Sequence, residues 1–301
     1  MRVYGLHSPV DYFISMGNKH LTIVLFLSCQ FSIFGQMIPT DTSYRFLIFI
    51  NGNRGPKANH ETTDNRLHEK DPTGYWYAID DTIIKRFPGV KPIYFDGHHP
   101  VGTSQHRTEL NFAKAYFLSR FCWISKRSRW VLNKRPNPEG FQLRVTHGQI
   151  AGENLLNYFH EKGISLDQVK IDIVSHSMGY AYSLGMIDAL KSKISFGKML
   201  ILSPENASAQ GRDWNYFEEV WQYGSRADDK ESDPICYQDG IAPQVAIPGI
   251  DSIPDSKGGR IYIPSFWPKS KKGFIKSHHL LYYQWFHEIK PGDRGYFEPS
   301  K

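Results

Sequence analysis

Cysteine is scarce, with three in 301 residues. Three cannot staple a chain of this length, which excludes a small disulfide scaffold. Blocks of roughly five or six like charges are absent, so no acidic or basic tail is present. The longest basic clusters are Lys126-Arg127-Ser128-Arg129 and Lys269-Ser270-Lys271-Lys272. No basic stripe is interleaved with aromatics, and no nucleic-acid interface is expected. There is no internal repeat and no low-complexity run. Glycine (25) and proline (18) are near ordinary usage, which excludes collagen-like and disordered chains.

What is present is an ordinary globular composition: 40% hydrophobic, 22% charged and 14% aromatic, with a formal charge of +6. The length suits one large α/β domain with a sizeable core. Leu21 to Gly35 is the most apolar stretch, preceded by Asn18, Lys19 and His20. At fifteen residues it is short for a membrane span, which takes about 20. A basic start, an apolar centre and a small residue at the end are the layout of a secretory signal, with cleavage expected between Gly35 and Gln36. Either Met1 or Met16 could begin such a signal, and Cys29 is a second candidate, as a site of lipid attachment. The expected organisation is therefore an N-terminal extension plus signal over 1–36 and one domain over 37–301, in an exported protein. Export would place Cys122 and Cys236 where a disulfide can form.

Beyond Gly35 the patterns alternate. Phe46 to Ile50 reads as a buried strand ended by Asn51-Gly52, and Pro92 to Phe95 as a second ended by Asp96-Gly97. Further strands are expected at Val169–Val174, Lys198–Leu202, Glu219–Tyr223 and Arg260–Ile263. Helical patterns fall at Thr73–Phe87, Thr108–Phe121, Gly148–Lys162, Met178–Ile194 and His279–Ile289. Strands alternating with helices predict an α/β class: a mostly parallel central sheet with helices on both faces, in three layers.

One stretch carries chemistry. In Lys170 to Gly179 (KIDIVSHSMG) a strand runs into Ser175-His176-Ser177-Met178-Gly179 and a helix follows at once. This is the context of a nucleophile elbow. The turn is so sharp that residues two before and two after the nucleophile must be small, as Ser175 and Gly179 are. Ser177 would stand at the tip. The Met178 N–H, at a helix N-terminus, would donate to an oxyanion, aided by the helix dipole.

On these residues the chain resembles the α/β-hydrolases, most closely the lipase and esterase branch, from about Tyr44 onward. Ser175 stands where that elbow usually has glycine. The resemblance implies an α/β-hydrolase fold and an order of nucleophile, acid, then His base. Ser232-Asp233-Pro234-Ile235, after the strand ending at Tyr223, resembles the acid-bearing segment of such lipases and makes Asp233 the acid; Glu205 and Asp239 are its rivals. Ser277-His278-His279 precedes the last helix, with His278 the base and His279 its rival among thirteen histidines. The second oxyanion donor falls in Asn51-Gly52-Asn53-Arg54-Gly55, on Gly52 or Asn53, because glycine lets the backbone approach a reacting carbonyl closely.

Asp96, His98 and His99 lack a fourth ligand and any nearby Cys, so a loop lining the site is expected there rather than a metal centre. Aromatics at Gly74-Tyr75-Trp76-Tyr77 and Ser265-Phe266-Trp267 read as core, rim or pocket lining. The expected activity is that of a serine hydrolase acting on small-molecule or lipid esters, with no cofactor and with contact to a membrane surface open. Two other readings stand beside it: a non-catalytic hydrolase-fold binding module, and a secreted phospholipase-type toxin drawn to anionic membranes by its positive charge.

Overall fold

The computed structural model describes residues 43–54, 58, 61–98, 138–224, 246–262 and 279–296. Among these, six strands form one sheet: β1 (Tyr44–Ile50), β2 (Lys91–Phe95), β3 (Val169–His176), β4 (Ser195–Leu202), β5 (Glu219–Gly224) and β6 (Gly258–Tyr262). Their spatial order is β2-β1-β3-β4-β5-β6 and every pairing is parallel. The α/β class and parallel sheet expected from the sequence are therefore present. The expected strands hold to within a few residues at their ends. The N-terminal segment through residue 42 and the helix expected at Thr108–Phe121 lie outside the described residues.

A parallel sheet needs cover on both faces, and β1 shows how the sequence supplies it. Its side chains alternate between two cores. Phe46, Ile48 and Ile50 enter one with α2 (Pro138–Glu161) and α3 (Gly179–Leu190). Leu47 and Phe49 enter the other, with Trp76, Ile83 of α1 (Asp80–Ile84), and Tyr283 and Trp285 of a 3-10 helix at Leu280–His287. This alternation is why the run reads as continuously apolar rather than period-two. Hydrophobic burial at about 25 cal/mol per Å² makes these two cores the main stabilising contribution.

Three helical expectations change in detail. The pattern at Thr73–Phe87 forms helix only over Asp80–Ile84. The Asp71 carboxylate accepts from the Thr73 N–H (3.0 Å), the Thr73 hydroxyl (2.9 Å) and the Trp76 N–H (2.6 Å), holding residues 71–76 in a turn. The helix expected from Gly148 begins ten residues earlier, at Pro138, a residue suited to the first helical turn. The closing helix winds as 3-10, so Leu280 and Tyr283 fall in line and are both buried.

The small residues on α3 have a packing purpose. A Cβ at Gly185 would lie 1.8 Å from the Val145 carbonyl oxygen of α2, and one at Gly148 of α2 would lie 1.8 Å from the Tyr182 carbonyl oxygen. The two helices touch backbone to backbone there, and backbone cannot turn aside as a side chain can. Gly185→Ala should therefore destabilise the fold by a net ~2 kcal/mol, the clash outweighing a helix-propensity gain of about 1 kcal/mol. The check is the denaturant midpoint at unchanged slope; an unchanged or raised midpoint would contradict this packing.

Candidate active site

All six strands point their carboxyl ends toward one edge. The chain crosses from β1 to β2 on one side and reaches β3 on the other, so the strand order reverses between β1 and β3. In open parallel sheets such a reversal opens a crevice outside the carboxyl ends. The loops after β1 and β3 are those carrying Gly52 and Ser177.

Ser177 has φ 56°, in the left-handed region that a residue with a Cβ rarely enters. Holding it there costs of order 1–3 kcal/mol and requires surrounding bonds that fix the conformation. Those bonds are present. The Ser177 N–H donates to the Leu202 carbonyl of β4 (2.9 Å). The Ser177 carbonyl accepts from the Tyr180 and Glu205 N–H groups (3.1 Å each). Met178 is the first residue before α3, so its N–H belongs to the unpaired first turn of that helix.

The elbow and the neighbouring loops approach within the space that glycine allows. A Cβ at Gly179 would sit 2.5 Å from the Ile50 carbonyl oxygen and 2.7 Å from that of Asn51. A Cβ at Gly52 would sit 2.6 Å from the Ser177 Cβ and 3.1 Å from its Oγ. The loop after β1 thus lies directly against the Ser177 side chain. Ser175 is fully buried in β3, beside Ile50 of β1 and Ile201 of β4.

A buried polar cluster holds that loop. Asp96, at the end of β2, accepts from Asn51 Nδ2 (2.7 Å) and from the His98 N–H (3.0 Å) through one oxygen. Its other oxygen lies 2.9 Å from Arg54 Nε, an ion-pair distance away from the ideal hydrogen-bond direction. Arg54 also reaches Glu61 at 2.6 Å. His98 Nδ1 accepts weakly from the Arg54 N–H (3.4 Å), which leaves Nε2–H to donate to the Ala58 carbonyl (3.1 Å). Asp96 and His98 are therefore ties between the β1 and β2 loops. Among the described residues no group of three or more His, Cys, Asp or Glu could hold a metal ion.

Of the expected carboxylates, Glu205 is brought to the elbow: it is buried, and its N–H binds the Ser177 carbonyl. Asp233, Asp239 and His278 lie outside the described residues. His279 is exposed and caps the 3-10 helix, its Nδ1 accepting from the Leu281 N–H at 3.2 Å. That bond leaves the proton of a neutral imidazole on Nε2. A triad base needs the reverse, with Nδ1–H given to the acid and Nε2 open toward the serine. The segment is anchored by Tyr283, whose hydroxyl lies 2.5 Å from Ser203 Oγ and donates to the Tyr223 carbonyl (3.3 Å).

Sequence reasoning assigned no specific role to Tyr75. Its hydroxyl is 2.6 Å from Nδ1 of His176, the residue before the nucleophile. The Gly52 N–H lies beside the same oxygen. Its proximity to the elbow spans 101 residues of chain, which no local pattern reveals. Burial pushes the Tyr75 hydroxyl well above the usual phenol range, the Gly52 N–H works against this, and the charges of Glu205 and Asp96 add to it. Tyr75 is a neutral phenol at any physiological pH.

Comparison with family models, with curated proteins and with solved structures gives no match. Among the described residues no helix is long and apolar enough to cross a membrane.

Burial lowers the pKa of His98, with Asp96 opposing and Arg54 adding to the shift. Unfolded, the imidazole titrates near about 6.5, so between the lowered value and that point the unfolded chain binds more protons. The stability held in this tie is complete above about pH 6.5 and falls as the pH drops below it. His147 is shifted the same way by burial, so the variant difference isolates His98. Denaturant midpoints from pH 8 to 5 should fall less steeply for His98→Gln than for wild type; parallel curves would show that His98 is not held neutral.

Proposed function

We propose that this chain is a serine hydrolase of carboxylic esters, built on an α/β-hydrolase fold of the lipase and esterase type. The observation that carries the reading is Ser177 at φ 56° on a strand-to-helix turn, with the loop after β1 pressed against its side chain. A strained serine at that place, fixed by three backbone bonds, is what a nucleophile elbow requires, and here the serine is buried beneath the neighbouring loops.

The order of the chain along the edge supports the rest. Residues 225–245 follow the carboxyl end of β5 and contain Asp233. Residues 263–278 follow the carboxyl end of β6 and contain His278. The strands that precede them, β5 and β6, end at the edge where Ser177 stands. The capping role of His279 favours His278 as base. Asp233 is the acid in this reading, with the buried Glu205 as the alternative carboxylate.

In the reaction, Ser177 Oγ attacks the ester carbonyl carbon while His278 takes its proton. The acid orients the imidazole and stabilises its cation. The Met178 N–H and the loop carrying Gly52 and Asn53 stabilise the tetrahedral oxyanion. Each such donor is worth of order 10²–10³ in rate. Collapse of the intermediate expels the alcohol, which takes the proton from His278. Water, activated by the same His, then releases the carboxylic acid from Ser177. The reading calls for no metal or organic cofactor. An N-terminal export signal, as the sequence suggests, would place this activity outside the cytoplasm.

The test is covalent labelling of the full chain by a fluorophosphonate, followed by intact mass. Wild type should gain one adduct on Ser177, and Ser177→Ala should gain none. A folded wild-type chain that takes no adduct would reject the enzyme reading in favour of a binding module of the same fold.

A further inference from the structure

The Tyr75 hydroxyl is placed too deliberately for packing alone. It stands at the end of a turn whose N–H groups are collected by the Asp71 carboxylate, with the Tyr75 N–H itself donating to Thr73 Oγ1 (3.3 Å). Gly74, at φ 69°, lets the chain reverse just before it. The ring lies 5.7 Å from the His176 ring, and the oxygen meets His176 Nδ1 at 2.6 Å. The Gly52 N–H approaches the same oxygen, and Gly52 itself lies against the Ser177 side chain.

A phenol has two acceptor lone pairs and one donor hydrogen. If His176 carries its proton on Nδ1, both lone pairs of Tyr75 face N–H groups, those of His176 and Gly52. The phenol hydrogen then points away from both N–H groups, and Gly52, which borders this oxygen, also borders the Ser177 side chain. We propose that Tyr75 is a catalytic residue of this site, donating its hydroxyl hydrogen to the oxyanion formed on Ser177. The proposal rests on the serine-hydrolase reading. Within it, Gly52 acts indirectly: its N–H polarises the phenol rather than meeting the oxyanion itself. Bonds in such a chain strengthen one another in a water-poor site. Burial, with the charges of Glu205 and Asp96 adding to it, keeps the phenol protonated, so it stays a donor across the working pH range. No proton is transferred: the phenol hydrogen is shared with the oxyanion and returns as the intermediate collapses.

The decisive variant is Tyr75→Phe, which keeps the ring and removes only the oxygen. With a short-chain aryl ester, kcat should fall about 100-fold with KM within about threefold, as for loss of one oxyanion donor. Fluorophosphonate labelling of Ser177 should slow by a similar factor, and the denaturation midpoint should change little. A Tyr75→Phe enzyme with wild-type kcat would overturn the proposal, and so would a faster one, which would make Tyr75 an obstruction instead. A parallel loss in the midpoint would be separated by Tyr75→His and Tyr75→Gln: only side chains that offer a donor should recover rate. If wild type itself takes no label, the underlying hydrolase reading fails. Wild type that labels, beside an equally reactive Tyr75→Phe, removes the Tyr75 proposal alone.

Discussion

The site depends on one close approach, that of the Gly52 backbone to the Ser177 side chain. Two loops from neighbouring parallel strands can meet so tightly only if neither places a Cβ in the gap. Gly52 and Gly179 leave that gap open from both sides. The approach brings backbone donors within reach of the place where charge would develop. Ser177 itself stands in a left-handed conformation, which its bonds to Leu202, Tyr180 and Glu205 hold in place. Strain at the nucleophile and order around it are two sides of one constraint.

The sheet supplies the rigidity that this constraint requires. β1 and β3 are central strands, paired on both sides and buried on both faces. Their carboxyl ends are held in register, Ile50 beside Ser175, so loops leaving them start from a fixed spacing. Asp96 adds a third strand to the frame by tying Asn51 and Arg54 to the end of β2. A carboxylate buried in this way is costly unless it is paired, and here the pairing doubles as positioning. The contact of α2 with α3 through Gly148 and Gly185 seats the helix that begins at the elbow.

The elements legible in the sequence are those governed by local rules. Ser175-His176-Ser177-Met178-Gly179 announces a strand, a turn and a helix because a sharp turn demands small neighbours. Asn51-Gly52 and Asp96-Gly97 mark strand ends because such pairs stop a strand. The parallel sheet follows from alternating apolar runs and helical patterns. What the sequence conceals is long-range or competitive. Asp71 captures the N–H groups of residues 73 and 76, so a helical pattern becomes a turn that delivers Tyr75. The Asp96–Asn51 bond joins residues 45 apart, so no local pattern announces the tie between the β1 and β2 loops. His278 and His279 are alike as letters, and only the cap on Leu281 distinguishes them.

The central claim is that the space at Gly52 is held open for chemistry at Ser177. A methyl group at that position probes it directly, because it would sit 2.6 Å from the Ser177 Cβ and 2.8 Å from the His176 carbonyl oxygen. The measurement is the second-order rate of phosphonylation of Ser177 in Gly52→Ala, beside its denaturation midpoint. The account predicts a folded chain whose rate falls by a factor of about 100 or more, the scale of losing oxyanion stabilisation. A folded Gly52→Ala that reacts as fast as wild type would contradict it.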